Sequence, residues 1–360
     1  MTDDDFCSGP TPTDTTLRLI CGAWVSRAIH VALSLGIPDL LCDGPESSAA
    51  LAAACGTHAP SLHRLLRALT VEGVFAMDSE GRFRLTPVGE ILRSDAPGSL
   101  RDWALLMLGD VHGGAWGELL TAVQTGGSAF KARYGKDLWA YCREHKAHGA
   151  LFDRAMAGFT DTYVASVLTA FSFAGFRTIV DVGGGDGSLL VGILSAHHAA
   201  RGVVFDLASV AERALRRVAD AGLSDRCAVV SGDALTEVPA GGDAYVLSRV
   251  LHDWDDGAAI RLLGNCQAVL KGDGRVLVLE RIVPAQPEDF LATPGPILSD
   301  TTLTDMNMMV MTTGRERTLP EYESLFAAAG LQLVRTVATA TAMQVMELRR
   351  ADSDPARVPS

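Results

Sequence analysis

A glycine-rich turn between an apolar strand and an apolar helix is the most constraining feature of this chain. Thr178-Ile179-Val180 runs into Asp181-Val182-Gly183-Gly184-Gly185-Asp186-Gly187, and Ser188-Leu189-Leu190-Val191 follows. Three adjacent glycines let the backbone take positive φ and approach a ligand with no Cβ in the way, which a nucleoside-binding turn between strand and helix requires. The spacing does not match G-x-G-x-x-G, whose glycines accommodate a pyrophosphate, so a nicotinamide cofactor is disfavoured. The next apolar run, Val203-Val204-Phe205, ends on Asp206, a carboxylate placed to accept both ribose hydroxyls.

Around this turn, apolar runs at 177–182, 202–206, 227–231, 243–248 and 275–281 alternate with helical segments. That punctuation predicts a doubly wound α/β domain, a parallel sheet covered on both faces. A helix over Pro320 to Ala329 and two further strands, 331–337 and 343–349, are placed to close the sheet with an antiparallel edge. At 360 residues and 48% hydrophobic content the chain is long enough for two domains. The divisions expected are a disordered N-terminus at 1–14, a winged-helix dimerisation domain at 15–95, a helical substrate-lining region at 96–170, a catalytic domain at 171–350 and a disordered tail at 351–360.

The N-terminal part is read from its caps. Ser47-Ser48 opens a helix stopped by Gly56, a second helix runs from Ser61 to Val71, and Val74 to Leu85 alternates around a Ser-Glu-Gly turn as a hairpin. The second helix would present His63, Arg64 and Arg67 to DNA; the alternative is that the unit serves dimerisation. A net charge of -12 favours dimerisation, because phosphate contacts dominate nucleic-acid affinity. Leu17 to Leu35 is too densely apolar for one stripe and is expected to be buried on more than one side, as at a subunit interface. No apolar run reaches the roughly 20 residues of a membrane span, and no signal peptide is present, so no membrane partner is expected. Seven scattered cysteines, odd in number and without a CxxC pair, point to free thiols in the cytoplasm and to no metal site.

Candidate chemistry lies at the strand ends. Asp206 and Asp233, the latter in Ser231-Gly232-Asp233-Ala234, follow consecutive strands and together suit an adenosine. The fourth strand runs through Ser248-Arg249 into Leu251-His252-Asp253-Trp254, and His252 is the first choice for general base, with an ordinary pKa of about 6.5 that leaves it mostly neutral at pH 7. Glu280 and Glu316 could each orient its ring, as the carboxylate of a catalytic triad does. Between residues 97 and 170, Trp103, Met107, Phe152 and Met156 are candidates for an apolar acceptor cleft, since aromatics stack on planar ligands and methionine adapts.

In combination, Asp181-Val182-Gly183-Gly184-Gly185-Asp186-Gly187, Phe205-Asp206-Leu207, Gly232-Asp233, Leu251-His252-Asp253-Trp254 and Gly314-Arg315-Glu316-Arg317-Thr318 resemble the S-adenosylmethionine-dependent class I O-methyltransferases. The likeness is to the caffeate-type family and its bacterial secondary-metabolite branch, over residues 15 to 350. It implies a Rossmann-like methyltransferase sheet joined to an N-terminal helical, winged-helix dimerisation domain, hence a homodimer. It implies His252 as base flanked by Glu280 and Glu316. It implies cofactor contacts from Gly183, Asp206, Gly232, Asp233, Ala234, Ser248 and Arg249, with S-adenosylhomocysteine as product. Asp305-Met306-Asn307-Met308-Met309 matches the helix that lines the family's acceptor pocket, so Asn307 and Met308 become substrate candidates for a small aromatic hydroxylated acceptor. Three other readings stay open here: a relative that binds the cofactor without methylating, a winged-helix transcription regulator, and methylation at nitrogen or carbon, since methyl acceptors differ in the substrate rather than in the cofactor cleft.

Overall fold

Thr11 and Asp14 cap each other reciprocally, the Thr11 hydroxyl accepting from the Asp14 amide and the Asp14 carboxylate from the Thr11 amide, and this starts helix α1, Pro12–Ser34. The cap corrects the expectation of a frayed chain up to residue 14. The computed structural model describes residues 11–286 and 301–352, so the expected disorder of 1–10 and 353–360 lies outside the described residues. Ala351 and Asp352, expected in the disordered tail, are held: the Ala351 amide donates to Gly330 and Asp352 pairs with Arg350.

The chain divides into two units, residues 1–113 and 114–360. In the first, α1 buries only Ala32 and Leu33, while Leu19 is 78% and Trp24 73% exposed. The expected burial on several sides is therefore not supplied within one chain. By length and composition, α1 is also the one described helix apolar enough to cross a membrane, which corrects the expectation that no segment would qualify.

After α2, Ile37–Leu40, come β1, Glu46–Ser47, α3, Ser48–Cys55, and α4, Ala59–Val71. Strands β2, Phe75–Met77, and β3, Arg82–Leu85, form the hairpin, with β3 between β1 and β2 in an antiparallel sheet. Leu51, Leu62, Leu66, Leu69, Phe75 and Phe83 make one core beneath it. His63 is part of that packing: its ring meets Phe83 edge-on at 5.4 Å and its Nδ1 lies 3.3 Å from the Ser48 hydroxyl. Short helices α5, Pro87–Glu90, α6, Arg101–Leu108, and α7, Asp110–Trp116, follow.

The second unit opens with α8, Leu119–Thr125, α9, Ala129–Tyr134, α10, Leu138–Glu144, and the long α11, Lys146–Ala170. The sheet comprises β4, Thr178–Val182, β5, Arg201–Asp206, β6, Cys227–Ser231, β7, Ala244–Ser248, β8, Arg275–Arg281, β9, Leu331–Ala338, and β10, Met343–Arg350. Its order is β6-β5-β4-β7-β8-β10-β9, parallel from β6 to β8, with β10 antiparallel to both β8 and β9. The central strands are continuous apolar runs because both faces are covered: Val180, Val182, Val246, Leu247 and all of Val276 to Leu279 are at most 1% exposed. Packed on it are α12, Ser188–Ala196, α13, Ala208–Asp220, α14, Asp256–Val269, and α16, Leu319–Ala328, while α15, Thr301–Met311, packs on α8 and α9. Chain order reverses between β4 and β7, so the glycine turn after β4 and the His252 segment after β7 flank the switch point where open α/β sheets bind ligands.

Candidate active site

The glycine turn takes the conformation its composition demands, with φ of 72° at Gly183, 60° at Gly185 and 84° at Gly187. A Cβ at Gly183 would lie 2.8 Å from Val250, whereas one at Gly185 would meet nothing within 4 Å, so the turn is open there. Asp206 fixes the turn from the neighbouring strand: its Oδ2 accepts from the Gly185 amide at 2.8 Å and its Oδ1 from the Leu207 amide at 2.6 Å. An ionised carboxylate offers about four acceptor positions, so two remain for a ligand. Asp181, 2% exposed beneath Gly184, is pushed up to about 7 by burial and then by Asp206 and Asp186.

The remaining predicted cofactor residues follow β6 and β7. Gly232 packs so closely that a Cβ would lie 2.5 Å from the Phe205 ring. Asp233 is exposed, and its Oδ1 accepts from the Leu235 amide, closing a local turn. The Ala234 carbonyl accepts from Asn265 Nδ2. Ser248 Oγ lies 3.0 Å from the Tyr163 hydroxyl. Arg249 is the one non-glycine residue with positive φ among the described residues, at 55°, and its guanidinium stacks 4.4 Å from the Phe159 ring centre. Such a backbone persists only where its surroundings over-determine it.

His252 and both glutamates come together at the end of β7 and β8. His252 Nδ1 lies 3.0 Å from Glu316 Oε1 and 3.6 Å from Glu280 Oε2, and all three side chains are buried. The two glutamates do different work. Glu316 bonds the ring directly, whereas Glu280 Oε1 accepts from the amides of Val250, Leu251 and His252 and so holds the backbone. Burial pulls the His252 pKa down, but Glu280, Glu316 and Asp253 outweigh it and hold it at about 9. This corrects the expectation of a mostly neutral ring at pH 7: three acids around one imidazole favour its cation. At Glu316 burial pushes the carboxyl up, but His252, with Arg281 and Arg249, outweighs it and keeps that carboxyl below its ordinary value. The three groups' ligand atoms lie within 4.8 Å of one another, a spacing open to a cation. The 3.0 Å Nδ1–Oε1 separation is that of an N–H···O hydrogen bond, however, and a proton satisfies it.

Two residues that sequence reasoning passed over assemble this cluster. Arg317, fully buried, donates to the carbonyls of Leu251 and Trp254 and to Asp256, clamping the short helical turn Leu251–Asp253 that carries His252. Gly314 packs so tightly that a Cβ would lie 1.9 Å from the His252 carbonyl oxygen. Both stand in the Gly314-Arg315-Glu316-Arg317-Thr318 motif.

The predicted acceptor residues divide between the units. Trp103 and Met107 belong to the first, on α6. In the second, Phe152 meets Trp139 edge-on at 5.6 Å, and Trp139 stacks at 6.3 Å on Trp254, two residues past His252. Met156 Sδ lies 4.0 Å from the Arg249 guanidinium. Phe159 and Tyr163 extend the same stripe of α11, and the spacing 152, 156, 159, 163 was the available signal for them. Helix α15 is bolted around the site: Arg281 donates to Thr304 Oγ1 at 2.6 Å and the Glu316 amide to Asp305 Oδ1 at 2.8 Å. It carries Asn307, whose Oδ1 accepts from the Trp116 indole at 3.1 Å, and the buried Met308.

A family model described as O-methyltransferase dimerisation domain matches residues 17–95, and one described as O-methyltransferase domain matches residues 116–332. The chain is 39% identical over 349 residues to the phenazine O-methyltransferase PhzM of Lysobacter antibioticus, covering 97% of this chain and 99% of that one. It is 35% identical to the phenazine-1-carboxylate N-methyltransferase of Pseudomonas aeruginosa, covering 89% and 92%. Its fold matches the crystal structure of LaPhzM with a TM-score of 0.89 at 38% identity, covering 94% and 99%. It also matches an O-methyltransferase of neocarzinostatin biosynthesis, solved with S-adenosyl-L-homocysteine and 1,4-dihydroxy-2-naphthoic acid, with a TM-score of 0.80 at 33% identity, covering 93% and 98%. A glycine turn and a buried His-Glu pair at one sheet edge, in a chain that also carries a dimerisation-domain match, thus belong to an S-adenosylmethionine-dependent O-methyltransferase: the chain is a member of that family.

Proposed function

We propose that this enzyme methylates a hydroxyl of a small aromatic secondary metabolite, with His252 as general base. One observation carries the reading: a buried imidazole bonded at 3.0 Å to a buried carboxylate, at the same sheet edge as the open glycine turn. Names of the relatives support the acceptor class, since they act on phenazine and related ring systems. S-adenosylmethionine supplies an electrophilic methyl group on a sulfonium when bound. The residues fit it: Gly185 leaves open space, Asp206 retains acceptor capacity for ribose hydroxyls, and Gly183, Gly232, Asp233, Ala234, Ser248 and Arg249 line the same edge.

The raised pKa of His252 sharpens its role. A base at about 9 lies within roughly one unit of a phenol at about 10, so taking the proton costs about 1.4 kcal/mol rather than the roughly 5 kcal/mol faced by an unperturbed histidine. Glu316 holds the ring and stabilises the imidazolium that forms; Glu280 holds the loop. Trp139, Phe152 and Trp254 offer an aromatic wall, and Met156, Asn307 and Met308 are acceptor candidates within the same unit. The exposed apolar face of α1 is buried against a second copy of the chain, making a homodimer, a reading supported by the dimerisation-domain match over residues 17–95. The six described cysteines are free thiols, which supports a reducing, cytoplasmic setting.

Replacing His252 with Ala tests the base. Methyl transfer to a panel of hydroxylated naphthalenes and phenazines should fall about 10²–10⁴-fold, while S-adenosylhomocysteine affinity by calorimetry stays near wild type. Undiminished turnover in the variant sinks the assignment.

A further inference from the structure

We infer that Trp116 is a specificity-determining residue: it locks the Asn307 amide so that its N–H groups face the acceptor cleft, selecting aromatic hydroxyls that carry a carbonyl-type oxygen nearby. The inference rests on the acceptor site proposed above. An indole N–H can only donate, so the Asn307 atom 3.1 Å from Trp116 Nε1 must be the carbonyl oxygen. With the oxygen engaged by Trp116, Nδ2 is the end of the amide left to donate elsewhere. An Asn in an unbiased environment could present either end; this one cannot.

The helix α15 that carries Asn307 is bonded to the catalytic cluster one turn away. Thr304, one turn before Asn307, accepts from Arg281, the neighbour of Glu280. Asp305 accepts from the amide of Glu316, the residue that bonds His252. Residues three apart share a helix face, so Asn307 stands one turn along the face that Thr304 presents to this cluster. Asn307 is half-buried, and its Nδ2 has no hydrogen-bond partner among the described residues. Once an acceptor shields these donors from water, a ketone, quinone or carboxylate oxygen satisfies them. A bare hydroxyarene leaves them unmade, and an unsatisfied buried donor is disfavoured.

The test compares matched acceptors: a hydroxynaphthalene, its ortho-acyl derivative and its ortho-carboxylate, each assayed by labelled methyl transfer. Wild type should prefer the oxygen-bearing members by about tenfold or more in kcat/KM, the ratio set by roughly one hydrogen bond. Trp116→Phe keeps the ring and removes the donor; its preference should collapse toward unity through a rise in KM for the oxygen-bearing members. Asn307→Asp presents an acceptor in place of the donors and should invert the preference. S-adenosylhomocysteine titration of each variant reports that it is folded. A wild-type enzyme that methylates bare and oxygen-bearing acceptors equally, or a Trp116→Phe variant with unchanged preference, overturns this inference alone. Methylation of none of the aromatic hydroxyls overturns the acceptor reading beneath it.

Discussion

Glu316→Gln removes one negative charge 3.0 Å from His252 Nδ1 while keeping an oxygen that can accept the same hydrogen bond. Coulomb's law at an effective dielectric near 20 puts that charge at about 5 kcal/mol, an upper figure equivalent to about 4 pH units. Glu280 at 3.6 Å and Asp253 at 3.7 Å remain. The net rise they produce together with Glu316, from 6.5 to about 9, is worth about 3 kcal/mol. A loss of about two units is therefore expected, bringing His252 near 7. In kcat/KM against pH, activity that requires neutral His252 climbs tenfold per unit below its pKa and then levels off. Wild type should level off near 9, where only about 1% of the base is neutral at pH 7. Glu316→Gln should level off near 7, and at a lower plateau, because a base two units weaker takes the phenol proton less readily. The two profiles thus converge near neutrality and part above pH 9. Levelling off at the same pH in both would falsify the assignment of Glu316 as the charge that raises His252, as would a levelling-off displaced upward by the substitution.

Two further outcomes follow from the same structure. Asp181, pushed from 3.8 to about 7, binds a proton when folded that it has lost when unfolded, so stability falls as pH rises from about 4 to 7 by up to about 4 kcal/mol. Asp181→Asn should then raise the melting temperature at pH 8 by several degrees and at pH 5 by less; an equal change at both, in scanning calorimetry, contradicts the buried-acid account. Trp24, 73% exposed on α1, is expected to anchor the second copy, so Trp24→Asp should weaken the dimer by about 2–4 kcal/mol, or at least 30-fold. Sedimentation velocity reads the shift to monomer, and a persistent dimer at micromolar concentration removes α1 from the interface.

The parts of this protein that were legible in the sequence are those set by local chemistry. Positive φ at Gly183 and Gly185 follows from residue type, and the strands of the sheet centre announce themselves as unbroken apolar runs because both faces are covered. The strand-end positions of Asp206 and His252 follow from those runs, since every parallel strand delivers its last residue to the same edge. Caps were harder to read: Thr11 and Asp14 form a capping pair inside a stretch whose Asp, Thr and Pro content suggests a frayed end.

What the tertiary structure decided is which distant groups meet. Glu280 and Glu316 are equivalent candidates in the chain, and only the packed fold gives Glu316 the ring and Glu280 the backbone. The basicity of His252 is likewise a collective property: three acids, converging from three segments into a buried site, outweigh the burial that acting alone would have kept the ring neutral. Trp116 and Asn307, 191 residues apart, carry no local signal of their contact. Residue type and periodicity determine backbone shape and the edge at which chemistry occurs, because they act over a few residues. Charge state and hydrogen-bond polarity depend on distances of a few ångströms across the fold, and those exist only once the chain has packed.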